Sequence, residues 1–331
     1  MSAVPSHPAI AVVIPCYKVT RHVLGVIAAI GPECTRIYAV DDACPDNSGE
    51  FIRSHCQDPR VTVIRHQLNQ GVGGAMITGY EAALADGMDI VVKIDGDGQM
   101  DPALLPDFVA PIIDGEADYT KGNRFFDLEQ IRTMPTSRLL GNAVLSFMTK
   151  LSSGYWDLFD PANGYTAIHG LVLKRLPLAK ISKTYFFETD MLFRLNTLRA
   201  VVVDVPMHAR YADEVSNLKI SRIATEFLSK HMRNFGKRIF YNYFLRDMSL
   251  ASIELPLGLG LSLFGLLFGG LRWLDSIRTG IPASVGTVML AALSVLMGMQ
   301  LVLAFIAHDI ASTPRRVLHR ARRTSRASAP A

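Results

Sequence analysis

Charged residues are scarce in this sequence. Asp, Glu, Lys and Arg make up 19% of the 331 residues, whereas apolar residues make up 49%, and the mean hydropathy is +0.22. A soluble enzyme usually carries more charge than this. The scarcity is uneven, because residues 1–250 have the composition of a globular domain and residues 251–310 are almost uniformly apolar. The length allows one large domain with additional segments.

Cysteine is also scarce, and its spacing argues against a metal-binding or disulfide framework. The cysteines are Cys16, Cys34, Cys44 and Cys56. None of them forms a C-x-x-C pair, and no histidine cluster completes a zinc pattern. We therefore expect reduced, cytosolic thiols. The N-terminus lacks a basic region followed by an apolar one, so we expect no signal peptide.

Acidic residues are nearly missing from two basic segments, where the net charge of +4 is concentrated. Residues 215–246 contain seven Lys or Arg and one acid, Glu226, and the tail contains six Arg and no acid. Residues 216–248 also place apolar and aromatic residues at helical spacing, which is typical of a membrane interface. We predict amphipathic juxtamembrane helices over 216–250. The alternative is a solvated helix that packs on the globular domain.

Two apolar stretches, 251–274 and 283–310, each exceed the roughly 20 residues that cross a bilayer. Their glycines and other small residues would allow close contact between two helices. With the short linker between them, they predict a transmembrane hairpin over 251–310. Both basic flanks would then face the cytosol, including a tail at 311–331. The alternative is a hairpin buried in a protein core.

Apolar, β-branched runs alternate with helical patterns in the first part of the chain. The runs occupy 9–15, 36–42, 60–65 and 89–95, the helical patterns occupy 21–30, 47–56 and 71–85, and a later helix and strand are predicted at 186–198 and 200–206. Uninterrupted apolar runs are typical of parallel strands buried on both faces, so we predict a doubly wound, Rossmann-like α/β sheet. Ligands bind such sheets beyond the carboxyl ends of the strands. The residues that we expect at this edge are Tyr17, Asp41, Asp42 and Asp95.

The stretch DGDGQMDP begins where the fourth apolar run ends. Asp95 and Asp97 lie on either side of a glycine, so both carboxylates could turn toward one hard cation. Gly96 and Gly98 would allow a diphosphate to approach the backbone, and Mg²⁺ or Mn²⁺ would stabilise it as a leaving group. A D-x-D motif alone is more often a solvated turn. Its position after a buried strand favours the metal site.

Seven short motifs carry a family resemblance. In chain order they are VVIPCYK (12–18), VDDACPDNS (40–48), NQGVGGAMITGY (69–80), DGDGQMDP (95–102), KGNRF (121–125), DPANGYTAI (160–168) and ARYADEVSNLKI (209–220). With the two apolar stretches, they resemble the family 2 glycosyltransferases of the GT-A fold, specifically the polyprenyl-phosphate (dolichol-phosphate) hexosyltransferases. The resemblance covers nearly the whole chain. Departures from the family pattern include Lys18 where asparagine is usual and Cys44 where serine is common.

The resemblance implies a GT-A catalytic domain, the nucleotide-diphospho-sugar transferase type, over residues 1–215. The nucleotide sugar would be bound by Pro15, Tyr17, Asp41, Asp42, Asp95, Gln99, Arg210 and Lys219. The metal, Mg²⁺ or Mn²⁺, would be bound by Asp95, Asp97 and Gln99. The catalytic residues would be Asp97, Arg124 and Asp160, the last two also facing the acceptor. Strand-end capping is the alternative for Asp41 and Asp42, and general interfacial charge is the alternative for Lys219.

The acceptor implied by the resemblance changes what an acid at the site must do. A phosphate monoester has a second pKa near about 6, so it is already an anion at neutral pH. Asp160 could therefore orient the sugar or the phosphate instead of acting as a base. Glu188 and Asp190 occupy the region where other family members place a catalytic base. A structural role on the helix surface is the alternative for both.

We therefore expect inverting transfer of a hexose from a UDP- or GDP-sugar to a polyprenyl phosphate. The enzyme would be a multi-pass protein of a bacterial cytoplasmic membrane with its catalytic domain in the cytosol. We expect no nucleic-acid partner, and the sequence leaves homo-oligomerisation open. A processive polysaccharide synthase is an alternative, but Gly269 stands where the Q-x-x-R-W motif of such enzymes has glutamine. An inactive, membrane-tethered sugar-nucleotide binding subunit is the other alternative.

Overall fold

The computed structural model describes residues 8–126, 136–207 and 220–320. The chain forms two compact units, of which the first is Met1–Phe235 together with Pro314–Ala331 and the second is Gly236–Thr313. The four segments inferred from the sequence, divided after residues 215, 250 and 310, stay a prediction.

The first unit contains a seven-stranded sheet. Its strands are β1 (Ile10–Cys16), β2 (Cys34–Asp41), β3 (Val61–Arg65), β4 (Ile90–Lys93), β5 (Tyr119–Asn123), β6 (Thr166–His169) and β7 (Val202–Pro206). Their order across the sheet is β3-β2-β1-β4-β6-β5-β7. Neighbouring strands are parallel except at β6, which runs antiparallel to β4 and to β5. The predicted α/β class is confirmed, and β5 and β6 are strands that the sequence patterns did not predict.

The helices of the first unit flank this sheet. They are α1 (Val23–Ala28), α2 (Ser48–His55), α3 (Val72–Ala85), α4 (Leu105–Ile113), α5 (Thr136–Ser153), α6 (Gly170–Leu173) and α7 (Phe187–Leu198), followed by α8 (Ile220–Ile239), which continues into the second unit. Short 3₁₀ turns occupy Pro102–Leu104 and Leu178–Lys180. The helices predicted before β2, β3, β4 and β7 are all present.

The central strands are buried on both faces, which explains their uninterrupted apolar sequences. Along β1, Val12 and Ile14 belong to the core that contains α1 and α4. Ala11 and Val13 belong to the opposite core, which contains α3 and α7. Gly79 permits the close approach of α3 to the sheet, because a Cβ at this position would lie 2.2 Å from Val13 Cγ1.

The second unit contains the two long apolar helices, α9 (Ala251–Thr279) and α10 (Val285–Ala311). Both are long and apolar enough to cross a membrane, and only 22% and 17% of their most apolar windows are buried. The two helices pack closely at glycines. A Cβ on Gly258 would lie 3.0 Å from the Gly298 carbonyl oxygen, and a Cβ on Gly265 would lie 2.8 Å from that of Ala291.

A buried ion pair lies at the end of this hairpin. Arg238 in α8 donates through Nη1 and Nη2 to the two carboxylate oxygens of Asp309, at 2.6 and 2.9 Å. The Tyr243 hydroxyl donates to the same carboxylate at 2.6 Å. Tyr243 belongs to the π-helical turn Phe240–Arg246 that follows α8. Arg238 is 2% exposed, so it is not one of the solvated basic charges of the juxtamembrane segment.

The segment that follows α10 belongs to the first unit and contacts the start of β5. Asp118, at the start of β5, is fully buried and accepts hydrogen bonds from the main-chain N–H groups of Leu318, His319 and Val201. His319 Nδ1 also lies 2.8 Å from Asp118 Oδ1, and the His319 ring stacks on His169. The first residues of the basic tail are therefore packed at the amino end of β5, at the opposite end of the strands from the candidate site.

Candidate active site

The loops after β1 and β2 contain three non-glycine residues with left-handed backbone. They are Lys18, Ala43 and Asn47, with φ values of 59°, 51° and 49°. Such conformations are unfavourable for residues other than glycine, so neighbouring contacts must hold them, and they concentrate at functional sites. One contact joins the two loops, because the main-chain N–H of Lys18 donates to Cys44 Sγ at 3.0 Å. The two departures from the family pattern thus touch each other.

Asp41 and Asp42 are both buried at the end of β2 and already bind protein amides. Asp41 accepts hydrogen bonds from the N–H groups of Cys44 and Gly49, at 2.8 and 3.0 Å. Asp42 accepts them from the N–H groups of Gln70 and Gly71, at 2.8 and 2.7 Å. These bonds cap the strand and shape both following loops, which agrees with the capping alternative. Direct binding of a nucleotide by either carboxylate stays a prediction.

Asp95 and Asp97 lie in the turn after β4, at the same edge of the sheet. Gly98 has a φ of 79°, and the N–H of Gln99 donates to Asp97 Oδ1 at 3.0 Å. Asp95 Oδ1 is buried and lies 2.9 Å from Lys93 Nζ. The Asp95 side chain is nevertheless 28% exposed, and Oδ2 forms no hydrogen bond with any residue that the structure describes. Oδ2 is thus the oxygen left for a ligand.

Lys93 lies beneath this turn and is almost completely buried. Its ammonium contacts Asp95 Oδ1, Glu188 Oε1 at 3.2 Å, and the carbonyl oxygen of Gly164 at 3.2 Å. Burial disfavours the charged form of Lys93, but the two carboxylates outweigh this effect, so its pKa is raised. The site therefore contains a permanent buried cation that the sequence analysis missed.

Lys93 belongs to a polar row that crosses four strands. Lys93, Thr166, Lys121 and Asp204 are paired in register across β4, β6, β5 and β7. Lys121 is fully buried and donates to the carbonyl oxygen of Asn163. Consecutive carbonyl groups, of Asn163 and Gly164, are thus each bound by one buried lysine. The two lysines hold the loop between Asp160 and β6.

In the same row, the pKa values of Lys121 and Asp204 shift away from their usual values. Burial lowers the pKa of Lys121 to about 8, although Glu188 and Asp160 partly offset this effect. Burial raises the pKa of Asp204 to about 6, even though the Phe159 N–H donates to Asp204 Oδ2 at 2.6 Å. Both groups are therefore less strongly charged near neutral pH than they are in water.

Arg124 and Asp160 form a bidentate pair at the end of β5. Arg124 Nε and Nη2 donate to the Asp160 carboxylate at 2.7 and 3.2 Å. The Asp160 side chain is 2% exposed and the Arg124 side chain 33% exposed. Asn163 Nδ2 lies 3.3 Å from Asp160 Oδ2. Asp160 thus fixes the plane of a guanidinium that reaches the surface, and such a group suits a phosphate.

The two acids at the start of α7 have different surroundings. Asp190 accepts hydrogen bonds from Ser182 N–H, Arg194 Nε and Asn234 Nδ2, so it connects α7 to the preceding loop and to α8. Glu188 instead faces Lys93, and its side chain is 15% exposed. The structure therefore places Asp190 in a structural role and brings Glu188 to the site.

Of the remaining predicted site residues, two lie at the end of β1 and two lie outside the described residues. Pro15 is paired with Val40 at the end of β1, and Tyr17 is 47% exposed just after it. Arg210 and Lys219 lie outside the described residues. Their contribution to the site stays a prediction.

Neither Lys93 nor Lys121 was predicted as a site residue. Lys93 ends an apolar strand sequence, and Lys121 lies in a sequence that resembles a loop. A signal for Lys93 was available. A lysine inside the apolar strand sequence IVVK, two residues before a D-x-D motif, has to be paired if that strand is buried.

The donor atoms at the turn fit a hard divalent cation. Carboxylate and amide oxygens from Asp95, Asp97 and Gln99 are ligands that Mg²⁺ and Mn²⁺ accept. The described part of the chain contains no group of three or more His, Cys, Asp or Glu residues with metal-binding geometry. A cation here would therefore take its other ligands from water and from substrate phosphates, as Mg²⁺ commonly does.

Comparisons with known proteins agree with this arrangement. Residues 11–176 match the model of the family described as glycosyl transferase family 2. An undecaprenyl-phosphate mannosyltransferase of Micrococcus luteus is 32% identical over 200 residues, which cover 59% of this chain and 81% of that protein. A UDP-N-acetylglucosamine–dolichyl-phosphate N-acetylglucosaminyltransferase of Methanococcus voltae is 28% identical over 215 residues, covering 61% and 85%.

Among solved structures, the glucosyl-3-phosphoglycerate synthase of Mycobacterium tuberculosis in complex with UDP is similar, with a TM-score of 0.54. The identity is 18%, and the match covers 69% of this chain and 80% of that one. This likeness supports the fold alone. The fold and the polar edge of the sheet together define a glycosyltransferase of the GT-A class. Because the family model covers half of its residues, the chain belongs to glycosyl transferase family 2.

Proposed function

We propose that this enzyme transfers a hexose from a UDP- or GDP-sugar to the phosphate of a membrane polyprenyl phosphate, with inversion at the anomeric carbon. The observation that supports the proposal is that one loop contacts two half-sites. One half-site is the turn after β4 that contains Asp95, and the other is the pair of Arg124 and Asp160. The 160–164 loop binds Arg124 through Asp160 and binds Lys93, the partner of Asp95, through Gly164. The names of the relatives, which include dolichyl- and undecaprenyl-phosphate transferases, support the lipid acceptor.

The donor diphosphate would lie at the turn after β4. Asp95 and Asp97, supported by Gln99, would hold Mg²⁺ or Mn²⁺ there. The bound cation would neutralise the charge that develops on the departing diphosphate. A related synthase structure contains Mn²⁺ and UDP-glucose, but its 18% identity leaves the metal assignment to rest on the carboxylates of this chain.

The acceptor would enter beside Arg124. An oxygen of the lipid phosphate attacks the anomeric carbon, the bond from that carbon to the donor diphosphate breaks, and the nucleoside diphosphate leaves. A single displacement inverts the anomeric configuration. The attacking phosphate is already an anion, so no proton has to be removed. The buried, bidentate contact of Asp160 with Arg124 supports an orienting role for Asp160 rather than a role as base.

Membrane attachment would come from α9 and α10, with support from α8 and the turn after it. The buried residues of this segment are largely polar, and they include His231, Asn234, Arg238 and Asn242. Its exposed residues include Leu228, Met232, Phe240 and Leu245. Arg233 and Lys237 are exposed as well, and a surface that mixes apolar with basic side chains suits the interface of a membrane. Arg210 and Lys219 would complete the phosphate-binding groups from the segment before α8.

The test is a transfer assay with the purified full chain in detergent. Radiolabelled UDP- and GDP-hexoses are supplied one at a time with undecaprenyl phosphate or dolichyl phosphate. We expect one lipid-linked monosaccharide, with the anomeric configuration opposite to that of the donor. A long polymer would identify a processive synthase. Binding of a nucleotide sugar without transfer to either lipid would instead indicate an inactive binding subunit.

A further inference from the structure

Lys93 is the least expected residue of the buried sheet. The other residues of β4 are Ile90, Val91 and Val92, so an apolar side chain would satisfy the strand. Lys93 is instead 1% exposed, and its ammonium has three protein partners. These partners are the carboxylates of Asp95 and Glu188, which form ion pairs with the ammonium, and the Gly164 carbonyl group, which accepts a hydrogen bond from it. The ammonium is therefore held between two negative charges.

The packing around this ammonium is specific. A Cβ on Gly164 would lie 2.7 Å from Lys93 Nζ and 2.9 Å from Asp95 Oδ2. The 160–164 loop therefore leaves room for the Lys93–Asp95 contact only because this residue is glycine. The Lys93 ammonium thus connects the turn after β4, the 160–164 loop and Glu188 of α7. A residue that only filled space in the core would not need these charged contacts.

We propose that Lys93 and Glu188 are positioning residues for the cation and donor site. Glu188 holds the Lys93 ammonium from the side of α7, and Lys93 holds the inner oxygen of Asp95. The carboxylate is thereby fixed with Oδ2 turned to the ligand. This inference rests on the proposed role of Asp95 in binding the metal. Groups that hold metal ligands in this way typically change the metal affinity about 10- to 100-fold when they are removed.

Lys121 provides a matched control. It lies in the same row of the sheet, is equally buried and binds the carbonyl group next to the one that Lys93 binds. Among the described residues, no carboxylate oxygen lies within 4 Å of its ammonium. Removing Lys121 removes a buried lysine from the same layer of the sheet without touching Asp95.

The experiment compares three variants of the full chain in detergent: Lys93→Met, Lys121→Met and the double variant Lys93→Met with Glu188→Gln. Binding of Mn²⁺ is measured by the loss of the free-ion EPR signal, with UDP or GDP present. Thermal unfolding is followed without metal, and initial rates are recorded against donor concentration. The double variant removes one charge of each sign, so Glu188 is not left as an unpaired carboxylate and only the partly exposed Asp95 loses its partner.

We expect Mn²⁺ binding to weaken about 10- to 100-fold in Lys93→Met and in the double variant, and not to weaken in Lys121→Met. Loss of a neighbouring positive charge alone would strengthen cation binding, so weakening identifies lost positioning. The double variant should recover thermal stability without recovering Mn²⁺ affinity or the apparent KM for the donor. Recovery of all three would show a structural role only, and equal effects of Lys93→Met and Lys121→Met would also overturn the inference. Failure of the unmutated chain to bind Mn²⁺ would instead overturn the proposed metal site.

Discussion

The carboxylates at the edge of the sheet differ in what already binds them. Asp41 and Asp42 have their oxygens on main-chain N–H groups, so they maintain the shape of the loops after β2. Asp95 has one oxygen on Lys93 and the other without a hydrogen bond among the described residues. A carboxylate that is anchored on one side and open on the other is suited to bind a cation without a large loss of side-chain entropy.

Asp97→Asn tests the cation site with the smallest change of shape. It keeps the size of the side chain and removes a negative charge, so we expect transfer to fall by several orders of magnitude with normal expression and thermal stability. EDTA should abolish transfer by the unmutated enzyme, and Mg²⁺ or Mn²⁺ should restore it. Full activity in EDTA would show that no dissociable metal takes part.

Gly164→Ala tests whether the two half-sites depend on their shared loop. The added methyl group would overlap Lys93 Nζ and Asp95 Oδ2, and we expect a loss of about 1–3 kcal/mol in unfolding free energy. Transfer should fall as well, because the Lys93–Asp95 contact must separate. Gly141→Ala is the control, because the space around Gly141 in α5 is open. Alanine favours a helix more than glycine does, so this variant should raise the unfolding free energy by up to about 1 kcal/mol. Similar results for both variants would contradict the assignment.

The residues of the site that could be predicted from the sequence are those with a local pattern. Asp95 and Asp97 follow a buried strand, and a strand end can be recognised from its neighbours in the chain. The contacts of Arg124 with Asp160 and of Lys93 with Glu188 join residues far apart in sequence. Such pairs depend on the strand order, in which β6 lies between β4 and β5, and no local pattern contains that order.

At the scale of elements, the sequences of β5 and β6 show why these two strands were not predicted. β5 has the sequence YTKGN, whose lysine and glycine resemble a loop, yet all five residues are buried. Its lysine is satisfied by the Asn163 carbonyl group, and its glycine is needed because a Cβ would lie 2.9 Å from Asn163 Nδ2. β6 has only four residues and is held by strands on both sides. Tertiary contacts therefore override weak local preference in both strands.

The juxtamembrane segment can be tested through its buried ion pair. Arg238→Ala leaves the Asp309 carboxylate buried without its partner, and we expect the unfolding free energy of the second unit to fall by about 3–5 kcal/mol. Lys237→Ala is the neighbouring control, because Lys237 is exposed and its loss should change stability by less than about 0.5 kcal/mol. The two stability changes are compared by thermal unfolding of both variants in detergent. Equal stability would mean that Arg238 acts as another interfacial charge.

For the molecule as a whole, buried histidines predict sensitivity to acid. Burial lowers the pKa values of His169 and His231 from 6.5 to about 4. The unfolded chain therefore binds these protons at a higher pH than the folded chain does. Stability is fully present above pH 6.5 and is lost as the pH falls toward about 4. We expect the unfolding temperature of the first unit to decrease across this range.

A histidine variant separates this effect from general acid denaturation. His169→Asn keeps a side chain that can accept the Leu171 N–H and removes the titrating ring, so the dependence on pH should become weaker. His55→Asn, which alters an exposed histidine, is measured beside it as the control variant. An identical pH dependence in the unmutated chain and in His169→Asn would exclude His169 as a cause.

The return of the chain to the first unit after α10 could not be anticipated from composition. The tail has many arginines and no acid, which indicates a solvated segment. The contact depends on Asp118, two hundred residues earlier, whose carboxylate accepts three main-chain N–H groups. The long apolar helices, in contrast, were evident from the sequence, because their length and hydropathy are properties of a continuous segment.

The topology of the chain in the membrane can be tested by labelling cysteines on either side of the bilayer. A hairpin returns the chain to the side from which it started, and the basic flanks favour the cytosol for both ends. A cysteine placed at Ala283, which is exposed between α9 and α10, should react with an impermeant thiol reagent in intact cells. Cysteines placed at Ser54, on the surface of α2, and at Ser325, which lies outside the described residues, should react only after permeabilisation. The four native cysteines are buried or half-buried, so the unmutated chain provides the background signal. Labelling of Ser54→Cys but not Ala283→Cys in intact cells would place the catalytic unit outside and reverse the proposed topology.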